Sequence, residues 1–268
     1  MRHGFVKVAA ATPDIRVADV AYNTQKICGL IDETVKEGAK VVAFPELCVT
    51  GYTCGDLFTQ EVLLKEARAA LHKIARHTKG KDALIFVGVP VAVEGKLYNV
   101  AAALNQGKIL GLTTKSFLPN YGEFYEMRQF TEGPSAAREI LFDGEKMPFG
   151  PQLLFVADSM ESLVVSAEIC EDAWSSVPPS IEAAREGAVI IANCSASDET
   201  VGKSTYRRNL IEGQSARLIC GYLYANAGEG ESTTDLVFGG HNLIAENGSV
   251  LKEGRRFEKW RYLHGDRY

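Results

Sequence analysis

Two periodicities take turns along the chain. Phe5 to Ala11 is a short apolar run of strand character, closed by Thr12-Pro13. From Val17 to Glu37 the spacing changes. Ile27, Leu30, Ile31 and Val35 recur at helical intervals, and Gly38 supplies the stop. Lys40 to Phe44 predicts a short buried strand that ends at Pro45-Glu46. A second helix is predicted from about Leu57 to Thr78, with Leu64, Ala67, Leu71 and Ile74 on one face. Ala83 to Pro90 and Lys96 to Leu104 read as strands, and the latter pairs with Lys108 to Thr113 through Asn105-Gln106-Gly107.

Asn120 to Gly150 is polar, holds Pro and Gly, and reads as a long loop. Beyond it the alternation resumes. Strands are predicted at Leu153 to Val156, Leu163 to Ile169 and Ala188 to Asn193, then at Gly221 to Ala227, Leu236 to Ala245 and Val250 to Lys252. Helices are predicted at Ser180 to Glu186 and Tyr206 to Leu218. Two successive blocks of strands and helices with no linker predict one α/β domain, layered with its helices outside.

Composition narrows the class. The 268 residues are 46% hydrophobic and 24% charged, which is ordinary for a globular chain. A net charge of −5 gives no reason to expect nucleic acid, and Arg207-Arg208 and Arg255-Arg256 are only pairs. No apolar run approaches a membrane span, and Met1-Arg2-His3-Gly4 leads into a strand without a signal peptide. The cysteines Cys28, Cys48, Cys54, Cys170, Cys194 and Cys220 form no CxxC pair and have no histidine at metal-ligand spacing. Cys28 and Cys220 lie within apolar patterns and read as core. This usage fits a reducing, cytoplasmic compartment.

Three strand ends carry reactive side chains. Val41 to Pro45 ends at Glu46, Gly111 to Thr114 ends at Lys115, and Val164 to Ile169 ends at Cys170. A free cysteine is ordinarily a small buried hydrophobe, and a charge at a strand end ordinarily reaches solvent. Together, however, the three supply a nucleophile, a base and a cation, a complete set for acyl transfer. A thiol with a pKa of about 8.5 needs a base at neutral pH. A carboxylate becomes one when burial raises its pKa. A fixed ammonium stabilises the oxyanion of a tetrahedral intermediate, by roughly 3 kcal/mol for one good donor. No histidine is needed, and His3, His72, His77, His241 and His264 stand in unpromising contexts. Glu168 shares strand parity with Cys170 and is expected to point with it and support it.

Phe44-Pro45-Glu46-Leu47, Lys115-Ser116-Phe117-Leu118-Pro119-Asn120-Tyr121 and Ile169-Cys170-Glu171-Asp172 together resemble the nitrilase, or carbon–nitrogen hydrolase, superfamily. The likeness spans essentially the whole chain. A narrower one rests on Pro45 to Tyr52, Tyr121 to Phe130 and Gly230 to Gly240, which resemble the glutaminase domains of bacterial glutamine-dependent NAD synthetases. The resemblance implies a nitrilase-type αββα sandwich of two β-sheets flanked by helices, and a Glu-Lys-Cys triad. It makes Glu46 the general base, Lys115 the oxyanion stabiliser and Cys170 the nucleophile that becomes a thioester, with Glu126 orienting the lysine. It places Tyr121, Ser197 and Lys203 where the family grips the α-amino and α-carboxylate groups of glutamine, and makes Tyr52, Phe124 and Glu171 pocket-lining residues.

The implied activity is release of ammonia from L-glutamine, with no cofactor for that step. ATP and deamido-NAD would belong to a synthetase domain or subunit for which this chain shows no phosphate loop. Residues 1–258 then form the glutaminase-like domain, and 259–268 a C-terminal tail outside the family pattern. A homo-oligomer is also implied. Two other readings stand beside this one: a stand-alone amidase acting on another ω-amide, and a non-catalytic scaffold that binds glutamine or docks on a synthetase.

Overall fold

The computed structural model describes residues 4–258 and 262–266, with no side chains described for 263–266. His3 and the tail segments 259–261 and 267–268 lie outside the described residues, as does the side chain of His264. The first half of the chain supplies β1 (Lys7–Ala11), α1 (Val20–Lys36), β2 (Val41–Ala43), α2 (Glu61–His77), β3 (Leu84–Val93), β4 (Lys96–Asn105) and β5 (Lys108–Thr114). A hairpin of β6 (Arg138–Phe142) and β7 (Glu145–Gly150) follows. The second half supplies β8 (Leu154–Ala157), β9 (Met160–Ile169), α3 (Pro179–Arg185), β10 (Ile190–Ser195), α4 (Lys203–Leu218), β11 (Gly221–Asn226), β12 (Leu243–Glu246) and β13 (Ser249–Glu253). Last comes β14 (Tyr262–Asp266).

The strands make an eight-stranded sheet in the order β14-β1-β2-β3-β4-β5-β7-β6 and a six-stranded sheet in the order β13-β12-β11-β10-β9-β8. Strand parity sorts the side chains into layers. On β1 to β5, Ala9, Val42, Ile85, Val87, Val100, Ala102 and Leu112 pack with Ile27, Ile31, Leu71 and Ile74 of α1 and α2. Their alternates Ala10, Ala43, Phe86, Ala101 and Ala103 meet Val165, Ala167, Ile169, Ala192, Cys194 and Ala225 of the second sheet. Ile191, Tyr222, Tyr224 and Leu243 pack outward on Ala183 of α3 and Ile211 of α4. The result is an αββα sandwich, and the alanines between the sheets let the two backbones approach closely.

Three stretches depart from the sequence reading. Asn120 to Gly150 holds a 3-10 turn, Glu126–Arg128, and the β6–β7 hairpin, whose β7 joins β5 in parallel. The hairpin turns on Asp143 and Gly144, both at positive φ (52° and 83°), as a two-residue turn requires. Its alternate residues Glu139, Leu141, Lys146 and Pro148 face solvent, so a half-polar edge hairpin reads as a loop. Leu236 to Asn242 is loop rather than strand, because Leu236 and Phe238 turn inward to pack on Phe124. The stretch before α2 is a 3-10 helix, Tyr52–Thr59, broken at Gly55 (φ 54°). Within the C-terminal tail, Tyr262–Asp266 pairs antiparallel with β1, Lys7 opposite Asp266 and Ala11 opposite Tyr262.

Candidate active site

Glu46 stands on a turn just past β2, with Leu47 at φ 51°. The turn lies so close to β3 that a Cβ on Gly88 would come within 2.3 Å of the Pro45 oxygen and the Leu47 nitrogen. The Glu46 amide donates to the Ser195 carbonyl at the end of β10, at 3.3 Å, which ties the turn to the other sheet. Lys115 follows β5, and its amide donates to the Asn99 carbonyl on β4 at 3.0 Å. Both side chains are fully buried.

Cys170 follows β9 at φ 45°, a left-handed backbone uncommon for a residue with a Cβ. Two devices hold it there. The Cys170 amide donates to Asn193 Oδ1 at 3.2 Å. Asp172 accepts from Ile169 N at 2.9 Å, and also from Ser116 N at 3.0 Å and Phe117 N at 2.9 Å. One carboxylate therefore fastens the exit of β9 beside the cysteine to the exit of β5 beside the lysine. The left-handed step also ends the strand parity. Glu168 does not point with Cys170. It faces outward, accepting from Ser180 N at 3.0 Å and from the Tyr222 hydroxyl. Its support for Cys170 is indirect: Asn193, which holds the Cys170 amide, donates to the Tyr222 oxygen at 3.1 Å.

The Lys115 ammonium sits between two carboxylates, 2.6 Å from Glu46 Oε1 and 2.7 and 2.9 Å from the two oxygens of Glu126. Asn99 donates to Glu46 Oε1 at 2.6 Å, and the Tyr52 hydroxyl donates to Glu126 Oε1 at 2.8 Å. Glu46 Oε2 is buried and has no partner. Burial alone would drive the Lys115 ammonium down, but Glu126 and Glu46 outweigh it and hold the group well above its ordinary range. Burial pushes the Glu126 carboxyl up against the pull of Lys115. Burial, reinforced by the charge of Glu46, pushes the Cys170 thiol far up, so the resting sulfur is protonated. A protonated thiol, a carboxylate oxygen with nothing bound to it and a fixed ammonium are the parts that acyl transfer needs.

The remaining expected residues form a rim. Tyr121 donates to both oxygens of Glu171, at 3.0 and 3.1 Å, and its ring stands edge-on to Phe124 at 5.8 Å. Lys203 ion-pairs with Asp198, and its ammonium lies 5.4 Å from the ring centre of Phe124 and 5.7 Å from that of Trp174. Ser197 is buried. Its hydroxyl accepts from Arg207 at 3.1 Å and faces the phenol of Tyr224. Tyr52, Phe124 and Glu126 line one cavity of about 180 Å³ with Leu236, Ser232 and Asp235. Asn99, Asp172, Asn193, Asp198 and Trp174 carry parts of this site that the sequence reading did not assign. His72, His77 and His241 are engaged with Asp143, Asp32 and Glu253. Among the described residues, no cluster of three or more His, Cys, Asp or Glu side chains is placed to hold a metal ion.

Comparison with known proteins gives the same frame. The family model described as Carbon-nitrogen hydrolase matches residues 7–260. The glutamine-dependent NAD(+) synthetase of Mycobacterium tuberculosis is 40% identical over 258 residues, covering 96% of this chain and 38% of that protein. The crystal structure of a glutamine-dependent NAD(+) synthetase from Cytophaga hutchinsonii superposes with a TM-score of 0.88 at 29% identity, covering 98% of this chain and 43% of that one. An amidase from Nesterenkonia sp. shares the fold at a TM-score of 0.75 and 21% identity, covering 99% of this chain and 91% of its own. The chain spans well under half the length of the synthetases it matches.

Proposed function

The chain belongs to the carbon–nitrogen hydrolase family, and from that premise we propose that it is a glutamine amidohydrolase working through a cysteinyl thioester. The observation that carries the proposal is the unpartnered, buried Oε2 of Glu46, on a carboxylate whose other oxygen is held by Lys115 and Asn99. Glu46 Oε2 takes the proton of the Cys170 thiol as sulfur attacks the amide carbon. The carbonyl oxygen becomes an oxyanion that Lys115 stabilises, and Glu126 keeps that ammonium charged and aimed. Collapse expels the amide nitrogen, which takes the proton from Glu46 and leaves as ammonia. Glu46 then deprotonates a water that attacks the thioester, and the proton returns to sulfur as glutamate departs.

Glutamine, rather than a simple amide, fits the rim. The Glu171 carboxylate suits an α-ammonium, and Lys203 with the Ser197 hydroxyl suits an α-carboxylate, with Phe124 as an apolar wall. The step needs no cofactor. The relatives named as glutamine-dependent synthetases support a further reading, that ammonia made here serves an ATP-dependent synthetase domain or subunit. Among the described residues no cysteine is in a disulfide, which suits the cytoplasm.

The test is ammonia release from glutamine, asparagine and butyramide, in the wild-type chain and in Lys203→Met. Glutamine is expected to be the best substrate, and the substitution to raise its KM by roughly tenfold or more while leaving butyramide unchanged. Faster turnover of butyramide than of glutamine would make the chain an aliphatic amidase instead.

A further inference from the structure

The segment from Gly230 to Gly240 lines the cavity beside Glu126 and reaches deep into the structure. A Cβ on Gly230, which has φ 103°, would lie 1.8 Å from the Ile15 carbonyl oxygen, so only glycine lets the segment enter. Glu231 then points its carboxylate at the start of the 3-10 helix Tyr52–Thr59. One oxygen accepts from Tyr52 N at 2.7 Å; the other accepts from Thr53 N at 3.0 Å and from the Thr53 hydroxyl at 2.6 Å. The Thr53 hydroxyl accepts in turn from Ser232 N at 2.8 Å. Farther along the segment, Phe238 packs edge-on against the Tyr52 ring at 5.8 Å. Both backbone and ring of Tyr52 are thus gripped by one stretch of chain. The hydroxyl of the same tyrosine donates to Glu126, which holds Lys115.

We propose that Glu231 is a positioning residue for the lysine of the site, acting through the Tyr52–Thr53 turn, the Tyr52 hydroxyl and Glu126. This rests on the glutaminase reading for its rates but not for its geometry. A carboxylate is suited to the place because two backbone N–H groups and a hydroxyl need acceptors at once, and a carboxylate offers only acceptors. Glutamine there would turn an N–H₂ toward one of the donors and force the turn apart. Displacement at Tyr52 is felt at Glu126, where reactive geometry is sensitive on the scale of an ångström.

The distinguishing readout is a pH profile. Glu126 is faced by Lys115 at the end of β5, Glu46 on the turn after β2, Tyr52, and Cys170 and Glu171 after β9. The Tyr52 hydroxyl favours the ionised form of Glu126, against burial. Loss of that bond keeps Glu126 neutral to higher pH, and because the charge of Glu126 holds the Cys170 thiol up, the acid limb of thiol reactivity should move to lower pH.

The experiment compares wild type, Tyr52→Phe, Glu231→Gln, Glu231→Asp and the Tyr52→Phe/Glu231→Gln double variant. Two measurements are made: kcat and KM on glutamine, and the pH dependence of Cys170 alkylation by iodoacetamide, which needs no amide substrate. Tyr52→Phe and Glu231→Gln are each expected to lower kcat by roughly tenfold with KM within about twofold. Both should shift the acid limb of alkylation downward, with no further shift in the double variant and partial recovery in Glu231→Asp. Should Glu231→Gln fail to fold, Thr53→Val removes the Glu231-bound hydroxyl at constant shape and should shift the limb in the same direction. An acid limb unmoved in a folded Glu231 or Thr53 variant, or shifts that add in the double variant, would overturn the proposal. A wild type inert toward glutamine would overturn the glutaminase reading alone, since the alkylation profiles still decide the role of Glu231.

Discussion

Glu46 and Glu126 grip the same ammonium, but their free valences differ. Every oxygen of Glu126 is bound, to Lys115 or to Tyr52, whereas Glu46 keeps Oε2 unpartnered. The pattern separates a carboxylate that can move a proton from one that holds the cation. Glu46→Gln preserves size and an oxygen for Lys115 and Asn99, but it cannot take the thiol proton. Its kcat is expected to fall by about 10²–10⁴-fold, with acylation by glutamine slowed in a mass-spectrometric time course. Acylation at the wild-type rate would remove Glu46 as base. At this scale the sequence showed the reactive types at strand ends and little of what surrounds them. Asn99 sits in the middle of Tyr98-Asn99-Val100, and nothing there marks it as the partner of a glutamate 53 positions away.

Elements set these side chains by how closely they approach one another. β3 runs directly under the Glu46 turn, and Gly88 is the point of contact. Gly88→Ala places a methyl group 2.3 Å from two backbone atoms of that turn, well inside any real Cβ contact. The turn must move by about an ångström, which is expected to cost roughly 1–3 kcal/mol of stability and on the order of 10²-fold in turnover. Urea midpoints and ammonia release measure the two. Wild-type turnover in a folded variant would show that the turn can shift without carrying Glu46. The helices and most strands followed from apolar spacing, because burying one face is what forms them. The β6–β7 hairpin did not, although Asp143-Gly144 is a turn signal, because charged residues at its exposed positions made it resemble loop.

The whole molecule buries an unusual set of carboxyl groups, and its stability should carry their mark. Burial pushes Glu168, Glu171 and Glu231 above the ordinary carboxylate range, though each keeps hydrogen-bond donors that pull it back. From about pH 4 upward to their raised values, the folded chain holds protons that the unfolded chain has lost, so stability falls as pH rises. Lys115, raised by its carboxylates, acts in the same direction at higher pH. Asp56, Glu61 and Glu94, lowered by their Arg and Lys partners, contribute stability that is lost only as pH falls below the ordinary range. The urea midpoint is therefore expected to fall as pH rises from about 4 through the raised values of Glu168, Glu171 and Glu231. A midpoint that instead rises across that range would mean that the fold does not raise these groups. At this same scale the division between sequence and structure is plain. The sequence by itself determined the helices and most of the strands, because those follow from local spacing, and which side chains could do acyl chemistry, because that follows from residue type. Only the tertiary structure decided that they meet. Glu46 and Lys115 end strands of one sheet and Cys170 ends a strand of the other, so their meeting depends on how the sheets stack over a layer of alanines. It depends also on Asp172 and Glu231, whose acceptors reach backbone amides 55 and 179 positions away, a distance that no local pattern encodes.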